Sequence, residues 1–198
     1  MQSILEREAK CLVDISKIIP DICLDIRYAT ANNFMGYPLY SSPLCYLHED
    51  TAVALCKVQA ELSTLSLGLK IYDGYRPLPV QQAMWDAIQD DRFVSNPAVR
   101  IGGHIRGIAV DVTLIDRDGE ELEMPSGFDE FNEKAYSSYM GASAAALSNR
   151  SLLHAVMTKH GFSTIDTEWW HFDLNGGYDD AKYPPLNITF EALESIHT

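Results

Sequence analysis

The chain has 198 residues, 46% hydrophobic and 22% charged, enough for one domain with a sizeable core and too apolar for a disordered chain. Its net charge of −13 and the lack of any Lys/Arg cluster argue against a nucleic-acid or anionic-membrane partner. No apolar run approaches the roughly 20 residues of a membrane span. The opening "MQSILEREAKCLVD" lacks the basic-then-apolar order of a signal peptide, so a cytoplasmic location is expected, or a periplasmic one if a leader was removed.

In chain order, 12–30 mixes short apolar alternations with Pro20 and reads as strand and loop pieces. "NNFMGYPLYSSPLCYL" reads as an ordered loop. The spacing predicts a helix over 48–68, capped by Asp50 or Thr51, with Val53, Cys56, Ala60 and Leu67 on its apolar stripe and Gly68 ending it. "LKIYDGYRP" is a short strand running into a turn at Pro77, and "LPVQQAMWDAIQ" a second helix. Residues 90–103 are polar and irregular. "GIAVDVTL" alternates as a strand, with Ile108, Val110, Val112 and Leu114 on one face and Ala109, Asp111 and Thr113 on the other. Asp118-Gly119 turns the chain as a hairpin. A third helix covers 142–162, with Gly161 at its C-terminal end. "STIDTEWWHFDL" is a last strand or strand pair, and the tail around Pro184-Pro185 is expected on the surface. Three helices mingled with about five short strands make the class α+β.

Cys11, Cys23, Cys45 and Cys56 form no CxxC, which disfavours a thiolate metal site; small buried hydrophobes in a reducing compartment is the plainer reading. The chemistry lies elsewhere. His104, Asp111 and His171 carry heads that suit zinc with a fourth position left for water. Asp111 stands inside an apolar strand, where a carboxylate is costly unless it meets a cation, either a metal or an arginine such as Arg106. In "EWWH", Glu168 and His171 would face opposite ways along a regular strand. They can meet at one site only if Glu168 precedes the strand or sits on a bulge, with Trp169 and Trp170 then flanking the site and excluding water. Arg76, between a strand and Pro77, is rigidly placed.

"GYRP", "HIRGIAVDVTL" and "EWWH", together with "DIRYATANNFMG" and "MPSGFDEF", resemble the marks of the zinc D-alanyl-D-alanine dipeptidase family, the vancomycin-resistance type of peptidase family M15. The family run Ser-x-His-x-x-Gly-x-Ala-x-Asp followed by Glu-x-x-His is matched in order by His104, Gly107, Ala109, Asp111, Glu168 and His171. The resemblance implies one domain over 1–198, α+β with a central antiparallel sheet flanked by helices, as in other DD-peptidases and the hedgehog domain. It implies one zinc per chain on His104, Asp111 and His171, Glu168 as base and acid, Arg76 at the oxyanion, and Asp129 with Tyr28 at the substrate ammonium. The implied substrate is D-Ala-D-Ala or a related small D-dipeptide; trimming of peptidoglycan stem peptides by a DD- or LD-carboxypeptidase is the alternative. A homo-oligomer is left open. One departure stands out: the family's serine is Gly102 here, followed by Gly103, and Ile105 follows the histidine. A serine restored at Gly102 or Gly103 is therefore expected to regain one substrate hydrogen bond.

Overall fold

The computed structural model describes residues 9–197. In chain order the elements are β1 (Leu12–Asp14), α1 (Ile15–Ile18), β2 (Cys23–Leu24), β3 (Tyr46–His48), α2 (Glu49–Thr64), β4 (Leu67–Asp73) and α3 (Leu78–Ile88). There follow β5 (Ala109–Asp116), α4 (Ala144–Lys159), β6 (Phe162–Thr164), β7 (His171–Leu174) and α5 (Phe190–His197). The central sheet runs β2-β4-β5-β7-β6, antiparallel except for the parallel β2–β4 edge; β1 and β3 pair separately. The class is α+β, as the sequence predicts. None of the described helices is long and apolar enough to cross a membrane.

β5 is the spine of the sheet. Both its faces are buried, Val110, Val112 and Leu114 on one side and Ala109, Asp111 and Thr113 on the other. It pairs with β4 from Leu67↔Asp116 to Asp73↔Asp111, with an irregularity between Ile71 and Asp73. On its other edge Asp111 faces His171. Register alone therefore sets Asp73, Asp111 and His171 side by side at one end of three adjacent strands.

Three local expectations change. First, α2 ends at Thr64, not Gly68, because Ser66 takes a left-handed φ of 59° and the chain turns into β4, where Gly68 lies. Its cap is the His48 side chain, which accepts from the Asp50 N–H. Its buried stripe is Ala54, Leu55, Val58 and Leu62, and Val53 is exposed. Second, a short helix, α1, follows β1, capped by Asp14. Third, the tail is not superficial. Leu186, Ile188, Phe190 and Leu193 are buried, and the Tyr75 hydroxyl both donates to the Ile188 carbonyl (3.0 Å) and accepts from its N–H (2.8 Å). The predicted end of α4 holds: Ser143 caps its start and Gly161, φ 96°, follows its last turn. The Asp118-Gly119 turn also forms, closed by the Ile115↔Glu121 bridge. The four cysteines are free thiols, with Cys45 fully buried.

The motif glycine Gly107 has a steric reason. It closes the single turn His104–Arg106 with φ 69°, and a Cβ there would lie 2.5 Å from Leu12 Cδ2 and 2.9 Å from the His48 backbone nitrogen. The turn that presents His104 is thus packed directly against the β1–β3 pair. Gly107→Ala is expected to lower stability by about 2–4 kcal/mol through left-handed strain plus overpacking, read as a lower urea midpoint at unchanged slope.

Candidate active site

Asp111 is brought to the site by β5, His171 by the start of β7 and His104 by the turn that Gly107 closes. Three donor atoms converge. His104 Nε2 lies 3.2 Å from His171 Nδ1 and 3.4 Å from Asp111 Oδ1, and His171 Nδ1 lies 3.0 Å from Asp111 Oδ1. Donors about 2.0–2.1 Å from a common tetrahedral centre stand roughly 3.3–3.4 Å apart, so this triangle has the size for zinc.

The opposite ring nitrogens agree with that reading. His104 Nδ1 is 2.7 Å from the Gly74 carbonyl, which can only accept, so the proton belongs there and Nε2 keeps its lone pair. His171 Nε2 faces Asp173 Oδ1 at 3.4 Å, which favours the proton on Nε2 and leaves Nδ1 free. Arg106, the local alternative for neutralising Asp111, points away and pairs with Asp180 at 2.6 Å. Burial alone would push the His171 ring down, yet Asp173 and Asp111 hold it well above its ordinary value. Burial opposes ionisation of Asp111, but the two imidazoles bring it far below the usual carboxylate range. The pocket calls for positive charge at the centre of the triangle.

Glu168 sits in the turn before β7, not on it, which resolves the parity problem of "EWWH". Its carboxylate oxygen is 4.0 Å from His171 Nδ1. Burial raises its carboxyl to about 8, against the nearby His171 and with help from Asp111 and Asp129. The two tryptophans divide. Both are buried and meet edge to face, but Trp170 lines the cavity while Trp169 donates Nε1–H to Ser126 Oγ at 2.9 Å. Only one of the pair flanks the site; Trp169 borders a second cavity with Ser126.

Arg76 is not a surface ion pair. Its Nε and Nη2 donate to Asp73 Oδ2 (3.0 and 2.7 Å) and its Nη1 to Gln81 Oε1 (2.8 Å). Asp73 is fully buried; its other oxygen accepts from Tyr40 (2.7 Å) and from the Gly74 N–H (2.9 Å). Asp129 accepts from the Tyr28 hydroxyl at 2.9 and 3.2 Å and is lifted by burial to about 8. It holds a left-handed φ of 57°, an uncommon posture that aspartate tolerates better than most residues. All seven residues singled out in the sequence border one cavity of about 260 Å³.

Sequence reasoning missed Asp73, Gln81 and Asp173. Asp173 carried a legible signal: it is a carboxylate in an apolar strand two residues after His171, hence on the same face. It also corrects the expectation for Gly103. A Cβ at Gly103 would fall 2.1 Å from Asp173 Oδ1 and 2.8 Å from the Ala109 Cβ, so no serine fits there while Asp173 holds its place. Gly102 is different, since a Cβ there would meet only Ser95 Oγ at an ordinary 3.4 Å.

Comparison with known proteins shows the family. The Peptidase M15 family, described as D-Ala-D-Ala dipeptidase, matches residues 8–189. The D-alanyl-D-alanine dipeptidase of Escherichia coli strain K12 is 40% identical over 94% of this chain and 95% of its own length. That of Enterococcus faecalis strain V583 is 28% identical over 89% of this chain and 95% of its own. Among solved structures, the LdcB LD-carboxypeptidase superposes with a TM-score of 0.45 at 20% identity, covering 77% of this chain and 68% of that one. On the breadth of the family match and the 40% identity, the chain belongs to the D-Ala-D-Ala dipeptidase family of M15 peptidases.

Proposed function

We propose that this chain, as one domain over its whole length, is a zinc-dependent dipeptidase that hydrolyses free D-Ala-D-Ala or a closely related D-dipeptide to two D-amino acids. The observation that carries the reading is the His104–Asp111–His171 triangle with Glu168 4.0 Å from its edge. His104, Asp111 and His171 would hold the metal, which when bound supplies Lewis acidity to the scissile carbonyl and to water.

The remaining chemistry belongs to the chain. Glu168 takes a proton from the attacking water and delivers it to the departing amine nitrogen. In the metal-free pocket burial lifts this carboxyl towards neutrality, and a cation in the triangle would draw it back towards the carboxylate that the proton-taking half requires. Arg76, already aligned by Asp73 and Gln81, donates its remaining N–H groups to the carbonyl oxygen as it gains charge. Asp129, steadied by Tyr28, receives the ammonium of the free dipeptide. A half-buried carboxyl with no ion pair among the described residues would favour free dipeptides over N-acylated stem peptides, which supports the dipeptidase reading over the carboxypeptidase one.

His104→Ala, Asp111→Ala and His171→Ala are each expected to lose most bound zinc by elemental analysis. Glu168→Ala should keep zinc and fold while kcat on D-Ala-D-Ala falls by about 10²–10⁴-fold; near wild-type turnover in that variant, or full activity after chelation, would refute the assignment. Asp173→Ala should weaken zinc binding by roughly 10–100-fold in chelator competition, since it orients His171 through Nε2.

Asp129 generates a pH prediction. In the metal-free protein its carboxyl is raised to about 8, above an unfolded value near 3.9. Between those values the folded state binds the extra proton, so the group's contribution is fully present below about pH 4 and is lost as pH rises through 8. Asp129→Asn keeps an acceptor for Tyr28 and tolerates the left-handed backbone. It is expected to match the wild type at pH 4 and to exceed it by about 1–2 kcal/mol at pH 8 in urea unfolding of chelated protein. The same variant should lose kcat/KM on D-Ala-D-Ala far more than on N-acetyl-D-Ala-D-Ala.

A further inference from the structure

One of the guanidinium groups lining the cavity has no carboxylate partner among the described residues. Three guanidinium groups border it: Arg76, Arg92 and Arg100. Arg76 is matched by Asp73 and Arg92 by Asp90, at 2.7 and 2.6 Å. Arg100 meets no carboxylate among the described residues. Its side chain donates Nη2–H to the Tyr178 hydroxyl at 3.4 Å and lies 5.7 Å from that ring's centroid. Tyr178 donates in turn to Asp173 Oδ2 at 3.0 Å, which fixes the phenol against the same carboxylate that faces His171. The Arg100 backbone is anchored by its N–H to the Asn96 carbonyl, 2.9 Å, two residues before Gly102-Gly103.

Beside Gly102 stands a hydroxyl. Ser95 Oγ sits in ordinary contact with the place a Gly102 side chain would occupy, and it borders the cavity. Gln81 Nε2 holds Ser95 through its carbonyl (2.8 Å) and more loosely through Oγ (3.4 Å), while Gln81 Oε1 holds Arg76. The 90–103 segment, irregular in sequence, is thus tied to Arg76 at one point and brings a cation and a hydroxyl to the same cavity.

A free dipeptide is a zwitterion. Asp129 answers its ammonium; nothing yet named answers its α-carboxylate. Resting on the dipeptidase reading, we propose that Arg100, with the Ser95 hydroxyl beside Gly102, is the receptor for that carboxylate and makes a free C-terminus a condition of tight binding. A guanidinium matches a carboxylate in shape as well as charge. The cavity, about 260 Å³ and just under the roughly 300–1,000 Å³ of sites for drug-sized ligands, suits a ligand of two small residues.

The test compares D-Ala-D-Ala with D-Ala-D-Ala amide on zinc-loaded wild type, Arg100→Ala, Arg100→Lys and Ser95→Ala. Wild type should prefer the free acid. Arg100→Ala should raise KM for the free acid by about tenfold, as for loss of a partly solvated charge-assisted hydrogen bond, and change KM for the amide less than twofold. Arg100→Lys should recover part of the preference, and Ser95→Ala should raise free-acid KM by a few-fold. If Arg100 merely props Tyr178, Arg100→Ala will affect acid and amide equally, and the assignment falls. An unchanged free-acid KM in Arg100→Ala overturns it as well. A zinc-loaded wild type inactive on D-Ala-D-Ala would instead overturn the dipeptidase reading on which the proposal rests.

Discussion

Three carboxylates buried at the end of three neighbouring strands organise everything around them. Asp73, Asp111 and Asp173 come from β4, β5 and β7, and each is at most 5% exposed. Burying so much negative charge is prohibitive unless each group is met. Asp73 is met by Arg76, Tyr40 and a backbone N–H, and Asp173 by Tyr178 and the far side of His171. Asp111 is left with two imidazoles whose free nitrogens point at the same spot. A cation at that spot would complete the arithmetic, and Arg76 is held in place by the same requirement.

The sheet does the positioning. Because Asp73↔Asp111 and Asp111↔His171 are register partners, a slip of one residue in either pairing would turn a site residue to the opposite face. The sheet end is braced from behind by the C-terminal segment: Tyr75, next to Arg76, exchanges two hydrogen bonds with Ile188, and Leu186 N–H donates to the Ile105 carbonyl (3.0 Å) in the turn carrying His104. Residues late in the chain thereby hold both Arg76 and His104 in place.

How much of this was legible in the sequence depended on whether local pattern or tertiary packing decided the matter. The alternation of β5 and the cost of a carboxylate within it pointed to Asp111 directly. The odd spacing of Glu168 and His171 required that Glu168 lie off the strand, as it does. The stripe of α2 was misread because Val53 and Leu55 are both apolar and only the docking of the helix decides which is buried. The tail was misread because Pro184-Pro185 suggests a surface chain, whereas Leu186, Ile188 and Phe190 beyond it are buried, and Leu186 and Ile188 bond to Ile105 and Tyr75, far earlier in the chain. Asp73 and Gln81 were hidden because their importance is to Arg76, and a partner of a site residue has no spacing of its own to betray it.

The contact between Gly103 and Asp173 couples two positions 70 residues apart. The carboxylate fills the volume a side chain at 103 would need. Starting from this chain, a serine at 103 collides unless 173 has first been shortened, and shortening 173 first strips His171 of its partner. Either order of change passes through an impaired protein, so the two positions are expected to vary as a pair. A homologue that carries a side chain at the equivalent of 103 should then orient its second histidine by some other acceptor.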